Sequence, residues 1–583
     1  MGKTIIQKIF ENHSDQEAKV GDIIDIVIDA RIARDFGGAN VVKNLEENNL
    51  KVKDSEKTFF TFDCNPGGCD QKYAANQHIC RRFARRNNIK IFDINKGIGT
   101  HIAIDNDLVK PGGTLVSTDS HANILGAYGT FGQGMGDKDI SYAWSYGKIW
   151  YKVPPSVKII LKGTTSKNVT PKDITLKLLE EFGANGLLGY SAEIYGEYVD
   201  TLDLDGRITI SSMATEMGGI IILFPTKGGV IADEDADYEK TFEVDISGVK
   251  PMISKPGHPE DVINVEDLEE IKVDSGFIGS CTNGRMSDMR KASEILKGHK
   301  IAPGRVLKIV PSTDEIWKQC LDEGIIQIFK DAGALVGSAG CAGCAAGQIG
   351  QTGEGEVEIS TGNRNYYGKQ GKGEVYLTSP STVAASLVAG YITTEDNIPD
   401  KPEEVKIEKT EDKKIKKRDK TENPLKVTGR AWVIKKDNID TDMIFHNRYL
   451  TITDISEMGQ YTFDNLKGHE DFAKKVKPGD IVITGKNFGA GSSRQQAVDC
   501  FKSLGISVII AESFGSIYER NAINNAFPIM ISEDAINMIN NGDEINVDFK
   551  TGEIINKTQE EKINAKPFSK SQLEIYKKGG LLS

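Results

Sequence analysis

The chain has 583 residues, 39% hydrophobic and 27% charged, with eight cysteines and a net charge of −12. One hydrophobic core does not serve so long a chain, so several domains are expected. The acidic balance leaves no bulk electrostatic footprint for nucleic acid, and no apolar run is long enough to cross a bilayer. The opening residues, Met-Gly-Lys-Thr-Ile-Ile-Gln-Lys-Ile-Phe, contain no apolar stretch with a small-residue cleavage site. A cytoplasmic protein with reduced thiols is expected, partnered by neither membrane nor nucleic acid.

In chain order, His101 in Gly97-Ile-Gly-Thr-His reads as a core histidine or one that supports a ligand. Residues 113–118 form an apolar run that ends as a strand at Asp119-Ser120-His121, where ligand crevices of open α/β sheets lie. Asp119 and His121 are then either a structural pair or, beside a metal, groups that orient and protonate a ligand. Residues 157–161, 207–210 and 220–225 read as strands or buried apolar segments. Residues 171–182 carry a helical apolar spacing after a proline suited to a first turn. This alternation, with 60 glycines in the chain, predicts α/β layers in more than one domain.

Cys281 lies in Gly-Ser-Cys-Thr-Asn-Gly-Arg (279–285), and Cys341 and Cys344 lie in Gly-Cys-Ala-Gly-Cys-Ala-Ala-Gly (340–347). Alone, the Cys-x-x-Cys pair reads equally as redox-active, zinc-binding or inert, and Cys281 as a small buried hydrophobe. Together they are one thiolate short of the four that close a structural zinc site or an electron-transfer cluster. On a four-iron cube three thiolates would leave one iron open as a Lewis acid. Gly340, Gly343 and Gly347 would allow close backbone approach and amide donation to sulfide. Further on, Asn363-Arg364-Asn365-Tyr-Tyr-Gly-Lys369 sets two cations around a glycine turn, which suits either bidentate carboxylate binding or a plain surface cation.

Residues 403–420 mix charges of both signs without an apolar face and read as a solvated spacer. The expected organisation is a catalytic region over 1–398, a charged linker over 399–424 and a last domain over 425–583. In that domain residues 480–485 read as a strand, 493–504 as a helix and 508–513 as the next strand. Between the first two, Asn487-Phe-Gly-Ala-Gly-Ser-Ser-Arg494 is a glycine-rich turn into a helix N-terminus, a place that favours an anion.

Thr-Asp119-Ser-His121, Gly-Ser-Cys281-Thr-Asn-Gly-Arg, Cys341-x-x-Cys344, Asn363-Arg364-Asn365 and Gly491-Ser-Ser-Arg494 together resemble the aconitase and isopropylmalate isomerase superfamily of hydro-lyases. The order is the family's, and nearly the whole chain is covered. The resemblance implies three α/β domains around a [4Fe–4S] cluster, plus a C-terminal swivel domain. It puts the cluster on Cys281, Cys341 and Cys344, with one iron lacking a protein ligand. It also implies dehydration and rehydration of a hydroxy di- or tricarboxylate. By the same resemblance Ser492 is the base that removes the carbon-bound proton. His101, Asp119, His121, Glu216 and Asp63 handle the other protons. Arg364, Lys369, Ser493, Arg494, Asn283, Ser120 and Thr451 bind substrate.

Three positions depart from the family pattern. Asp63-Cys64-Asn65 stands where Asp-His is usual, Lys369 stands where a second arginine is usual, and Thr451-Ile452 stands where relatives acting on an extra carboxylate place arginine. A neutral Thr-Ile favours an apolar substituent, since an unpaired buried carboxylate is costly, while Lys369, Arg285 and Arg430 are candidate cations for a third carboxylate. Because both regions are fused, the leading expectation is an aconitate hydratase of the tricarboxylic acid cycle acting on citrate and isocitrate. The alternative is 3-isopropylmalate dehydratase, as in leucine biosynthesis, or a homoaconitate or 2,3-dimethylmalate hydro-lyase. Outside enzymes, the alternative is an RNA-binding regulator in the cluster-free form. A monomer or homo-oligomer without a separate small subunit is expected.

Overall fold

The computed structural model describes residues 2–66, 71–401, 423–450 and 452–582. Thr451 and residues 402–422, most of the expected linker, lie outside the described residues. The chain gathers into two compact units, one drawn from 1–39, 52–133 and 146–410, the other from 40–51, 134–145 and 411–583.

The first unit is built on three main sheets. A five-stranded sheet runs in the order Lys90–Phe92, Thr58–Thr61, Ala30–Arg34, Thr114–Ser117, Phe131–Gly134. Its central strand pairs in parallel with both neighbours. A four-stranded sheet is made of Ile221–Leu223, Ser191–Tyr195, Ser156–Lys162 and Lys240–Asp245, all parallel. A seven-stranded sheet holds Ser275–Ile278 in parallel between Val306–Ile309 and Val357–Ser360. Strands Thr58–Thr61, Thr114–Ser117 and Ser275–Ile278 are buried at every position, as parallel strands covered on both faces must be. A smaller antiparallel ribbon pairs Ile23–Val27 with Lys148–Lys152.

Most local expectations hold. The runs at 113–118, 157–161 and 220–225 contain the strands Thr114–Ser117, Ser156–Lys162 and Ile221–Leu223. The helix Pro171–Phe182 starts at its proline, with Thr170 and Asp173 forming a capping box. Residues 207–210 differ from the strand reading. They lie inside the helix Leu204–Ser212, started by Asp203, whose side chain accepts the Gly206 amide at 2.8 Å. That cap and burial along the helix override the strand preference of its β-branched residues.

The second unit has one seven-stranded sheet, parallel through Lys426–Ile434, Ile481–Thr484, Val508–Ala511 and Ile529–Ile531. It continues antiparallel through Glu544–Asp548, Glu553–Asn556 and Glu561–Asn564. The expected strands at 480–485 and 508–513 are present, but the helix spans Gln496–Ser503 and begins three residues later than its expected start at 493. Within this unit the helix Asp137–Tyr146 supplies Asp139, whose Oδ1 accepts Arg520 Nε at 3.0 Å and Asn524 Nδ2 at 2.6 Å. Asp137 at its start accepts Asn40 Nδ2 at 2.7 Å.

Candidate active site

Open α/β sheets gather ligand-binding groups at the carboxyl ends of parallel strands. In the first unit Arg34 closes its strand, Asp63 follows Thr58–Thr61, Asp119 follows Thr114–Ser117, Cys281 follows Ser275–Ile278, and Asn363-Arg364 follows Val357–Ser360. The sheets thus deliver acids, cations and a cysteine to the same kind of position.

Two strained residues present the cysteines. Ser280, just before Cys281, has φ +78°, and Ala342, between Cys341 and Cys344, has φ +46°. Left-handed backbone at a non-glycine residue costs on the order of 1 kcal/mol and persists where surroundings over-determine it. Gly340 and Gly343 are places of close approach. A Cβ would meet the Asp63 carbonyl oxygen at 2.9 Å in the first case and Gln370 Nε2 at 2.8 Å in the second. Gly347 corrects the expectation of close approach: nothing lies within 4 Å of its Cβ position, and its φ of +74° is what calls for glycine.

Cys281, Cys341 and Cys344 pack together around Ile98. The Cys281 thiol donates to Asn363 Oδ1 at 3.3 Å. Burial, aided by the neighbouring Cys344, pushes the Cys281 thiol well above its usual range, and burial lifts Cys344 to about 11 against the pull of Lys369.

Arg34, absent from the residues singled out by sequence, organises one side of the site. Its Nε donates to Asp63 Oδ1 at 2.7 Å, its Nη1 lies 3.0 Å from Asp119 Oδ1, and its Nη2 donates to Cys341 Sγ at 2.5 Å. The only signal in the sequence was a second arginine inside the apolar strand Ala30–Arg34, whose five residues are all buried. Burial raises the Asp63 carboxyl to about 6, more than Arg34 pulls it down, with Asp35 and Asp119 adding to the rise. Asp119 shows the opposite balance: Arg34 and His121 outweigh burial and hold it below its usual value. Cys64 is a buried thiol 3.5 Å from Asp63 Oδ1, and burial followed by its hydrogen bond with Cys341 pushes it well above its usual range.

The other side is a relay of His121, Glu216 and Arg364. His121 Nε2 is 3.0 Å from Glu216 Oε1, and Arg364 Nε is 2.6 Å from the same oxygen. Burial opposes ionisation of Glu216, but Arg364 and His121 outweigh it and hold the carboxyl at about 2. Ser120 Oγ lies 3.5 Å from both His121 Nδ1 and Arg364 Nη1. Lys369 Nζ donates to the Cys344 carbonyl at 3.3 Å. Asn283 Nδ2 donates to Asp288 Oδ1 at 2.9 Å, while its Oδ1 is buried without a partner.

His101 stands apart from this relay. Its Nε2 is 3.0 Å from the Cys281 carbonyl oxygen, and burial, with Arg285 nearby, lowers its pKa to about 4. A neutral ring bonded to that carbonyl supports the cysteine loop. Arg285 and Arg430, considered as cations for a third carboxylate, are already engaged: Arg285 with Asp105 and Asp205, at 2.8 and 2.9 Å, and Arg430 with Asp480 at 2.6 Å.

In the second unit Ser492, Ser493 and Arg494 are buried. The Ser492 amide donates to Thr441 Oγ1 at 2.9 Å, so one amide of the expected anion turn is already spent. Arg494 Nη1 lies 2.7 Å from Asp442 Oδ1 and donates to the Phe445 carbonyl at 2.8 Å.

The sequence profile of the aconitase family (aconitate hydratase) matches residues 7–231 and 226–390, and that of the aconitase C-terminal domain matches 421–534. The chain belongs to the aconitase family. Among its relatives, 3-isopropylmalate dehydratase large subunit 1 of Archaeoglobus fulgidus is 37% identical over 67% of this chain and 99% of its own. Mitochondrial homoaconitase of Candida albicans is 30% identical over 92% of this chain and 87% of its own, and that of Debaryomyces hansenii 31% over 90% and 84%. The chain is an aconitase-family hydro-lyase. These relatives move the reading away from the expected aconitate hydratase toward its alternative.

The residues fit the cluster that the family resemblance implies. Two buried thiols, Cys281 and Cys341, converge with the half-buried Cys344, and beside them Asp119 Oδ2, Glu216 Oε2, His101 Nδ1 and Asn363 Nδ2 are buried polar atoms with no hydrogen-bond partner among the described residues. Asp35, Asp63 and Cys64 also bring one ligand atom each within 4.8 Å of one another. That trio is better read as a loop clasp. Asp35 accepts the amides of Cys64 and Asn65 at 3.0 and 2.9 Å and Gln77 Nε2 at 3.1 Å, while Asp63 accepts Arg34 and the Gly99 amide. Among the described residues, no helix is long and apolar enough to cross a membrane.

Proposed function

We propose that this hydro-lyase isomerises a 2- or 3-hydroxy dicarboxylate with an apolar substituent, of the 3-isopropylmalate type, by dehydration and rehydration. Cys281, Cys341 and Cys344 would hold a [4Fe–4S] cluster, whose open iron position supplies Lewis acidity at the carbon–oxygen bond. Arg364 and Lys369 bind the carboxylates, Arg364 as a fork and Lys369 as a point charge. His121, with Glu216 ionised behind it, holds the proton that the departing hydroxyl needs, and Asp119, fixed by Arg34, orients the same region. Ser492 is the proposed base at the carbon-bound proton.

The substrate class is supported by the 37% identity to 3-isopropylmalate dehydratase large subunit 1 of Archaeoglobus fulgidus and by the state of the cations. Arg34, Arg285, Arg430, Arg448 and Arg494 are each already within 3.0 Å of a carboxylate oxygen. A third substrate carboxylate would have to share one of these cations with its acid, as the first shares Arg364 with Glu216, or go unpaired, which costs several kcal/mol. A homoaconitate-type substrate is the second reading, supported by the match to homoaconitase over 92% of this chain as one polypeptide. The test is an anaerobic assay following enoate absorbance with 3-isopropylmalate, 2,3-dimethylmalate, homocitrate, homoisocitrate, citrate and isocitrate. Dominant turnover of 3-isopropylmalate or 2,3-dimethylmalate is expected. Dominant homocitrate or homoisocitrate turnover would select the second reading, and dominant citrate turnover would overturn both.

A further inference from the structure

Lys172 is an anomaly that the proposed chemistry does not use. It is the second residue of the helix Pro171–Phe182, its side chain is fully buried, and among the described residues no carboxylate salt bridge accompanies it. A cation there opposes the helix dipole as well as paying desolvation, so its presence needs an offsetting interaction. Burial accordingly lowers its pKa to about 8.

The offset is a set of carbonyls. Lys172 Nζ donates to the Gly362 carbonyl at 2.8 Å and the Thr361 carbonyl at 3.1 Å, and lies 3.6 Å from Met213 Sδ. Those two carbonyls belong to the turn that presents Asn363 and Arg364. The same turn reaches the cysteine loop: Thr361 Oγ1 accepts the Gly279 amide at 2.9 Å and donates to the Gly279 carbonyl at 3.0 Å, and Asn363 Oδ1 accepts the Cys281 thiol. Glu216, Cys281, Asp288 and Cys344 are the acidic groups that bear electrostatically on the ammonium. One buried cation therefore braces the backbone beneath the carboxylate-binding arginine and beneath the first cysteine, and adds positive charge beside the thiols.

We propose that Lys172 is a positioning residue that fixes the 361–364 turn, and through it both Arg364 and Cys281, while serving as a fixed counter-charge to the thiolates of a bound cluster. The counter-charge part rests on the cluster reading given above; the positioning part does not.

The test compares wild type, Lys172→Met and Lys172→Arg. Methionine keeps the length of the chain beside Met213, and arginine keeps the charge and the donors. Hydrogen exchange of the metal-free proteins is read first. In Lys172→Met, peptides covering 359–366 and 279–285 are expected to exchange at least tenfold faster, while peptides from the second unit stay unchanged; Lys172→Arg is expected to restore most of the protection. In anaerobically reconstituted protein, Lys172→Met is expected to raise KM at least tenfold with a smaller loss in kcat, and to shift the cluster's midpoint potential negative. Arginine is expected to recover both in part. Wild-type exchange at 359–366 in Lys172→Met overturns the proposal, as do uniform loss of protection across the first unit and arginine behaving like methionine. A wild-type potential in Lys172→Met overturns its counter-charge part. If wild type binds no iron and sulfide while the exchange difference appears, the cluster reading fails and the positioning role stands.

Discussion

Glu216 Oε1 receives Arg364 Nε at 2.6 Å and stands 3.0 Å from His121 Nε2, so one carboxylate oxygen ties a guanidinium to an imidazole. The Glu216 carboxyl is held at about 2, below its ordinary 4.5, because those two partners outweigh its burial. A group with a depressed folded-state pKa gives stability above its unfolded value that is lost as pH falls through the folded one. Wild type should lose stability on acidification from about pH 4.5 to 2, and Glu216→Gln should be less stable at pH 7 with a flatter response across that window. Urea titrations at a series of pH values read both. Turnover in the variant should fall by about 100-fold or more, as for a lost proton-handling partner.

Asp137 behaves with the opposite sign. Burial raises its carboxyl from 3.8 to about 7, against the hydrogen bond from Asn40. Its contribution to stability is complete below its unfolded value and is lost as pH rises through about 7. Asp137→Asn should stabilise the protein at pH 8 by about 4 kcal/mol and change nothing below about pH 4. Thermal melts at the two pH values decide it; equal shifts at both would contradict the assignment.

Removing Arg34 leaves Asp63 and Asp119 buried without their shared cation. Arg34→Met should therefore cost about 3–5 kcal/mol, the usual penalty for stranding buried charges. Arg34→Lys should recover only part, since an ammonium cannot reach both carboxylates and Cys341 as a fork does. Denaturant midpoints measure the loss, and iron content after anaerobic reconstitution should fall in the same order.

Cys64 stands where the family resemblance leads one to expect an imidazole, and its thiol is buried and held well above its ordinary pKa. It cannot serve as a ready proton donor at neutral pH. Cys64→Ser should keep turnover within a few-fold of wild type, in place of the roughly 100-fold loss expected for a lost proton donor. Steady-state assays of the reconstituted variant test this directly.

Ser492→Ala should retain the brown chromophore and the iron content of wild type while turnover falls by at least about 100-fold, the lower range for a missing general base. Undiminished turnover would remove Ser492 from the proposed chemistry.

The site was legible where chemistry and chain pattern coincide. Asp119 after an apolar run and Cys281 in a glycine-flanked turn both lie at strand ends, because a buried parallel strand announces itself as a short apolar stretch and must stop at a polar turn. Arg34 was not legible: a cation at the end of an apolar strand looks like an edge residue until its partners Asp63, Asp119 and Cys341, distant in sequence, are assembled. Residues 207–210 show the limit of β-branched runs, since Asp203 capping decided for helix. The helix starting at Gln496 instead of 493 shows another, because Arg494 is held by Asp442 and Phe445 and not by a helical turn.

The pairing of Asp139 with Arg520 and Asn524 has a practical side for gene engineering. A cut at the charged spacer would place the guanidinium on the shorter polypeptide and its counter-ion on the longer one. A chimera that exchanges 425–583 with a relative's segment must therefore carry a compatible 134–145, or inherit a solvent-excluded arginine whose acid remained on the other parent.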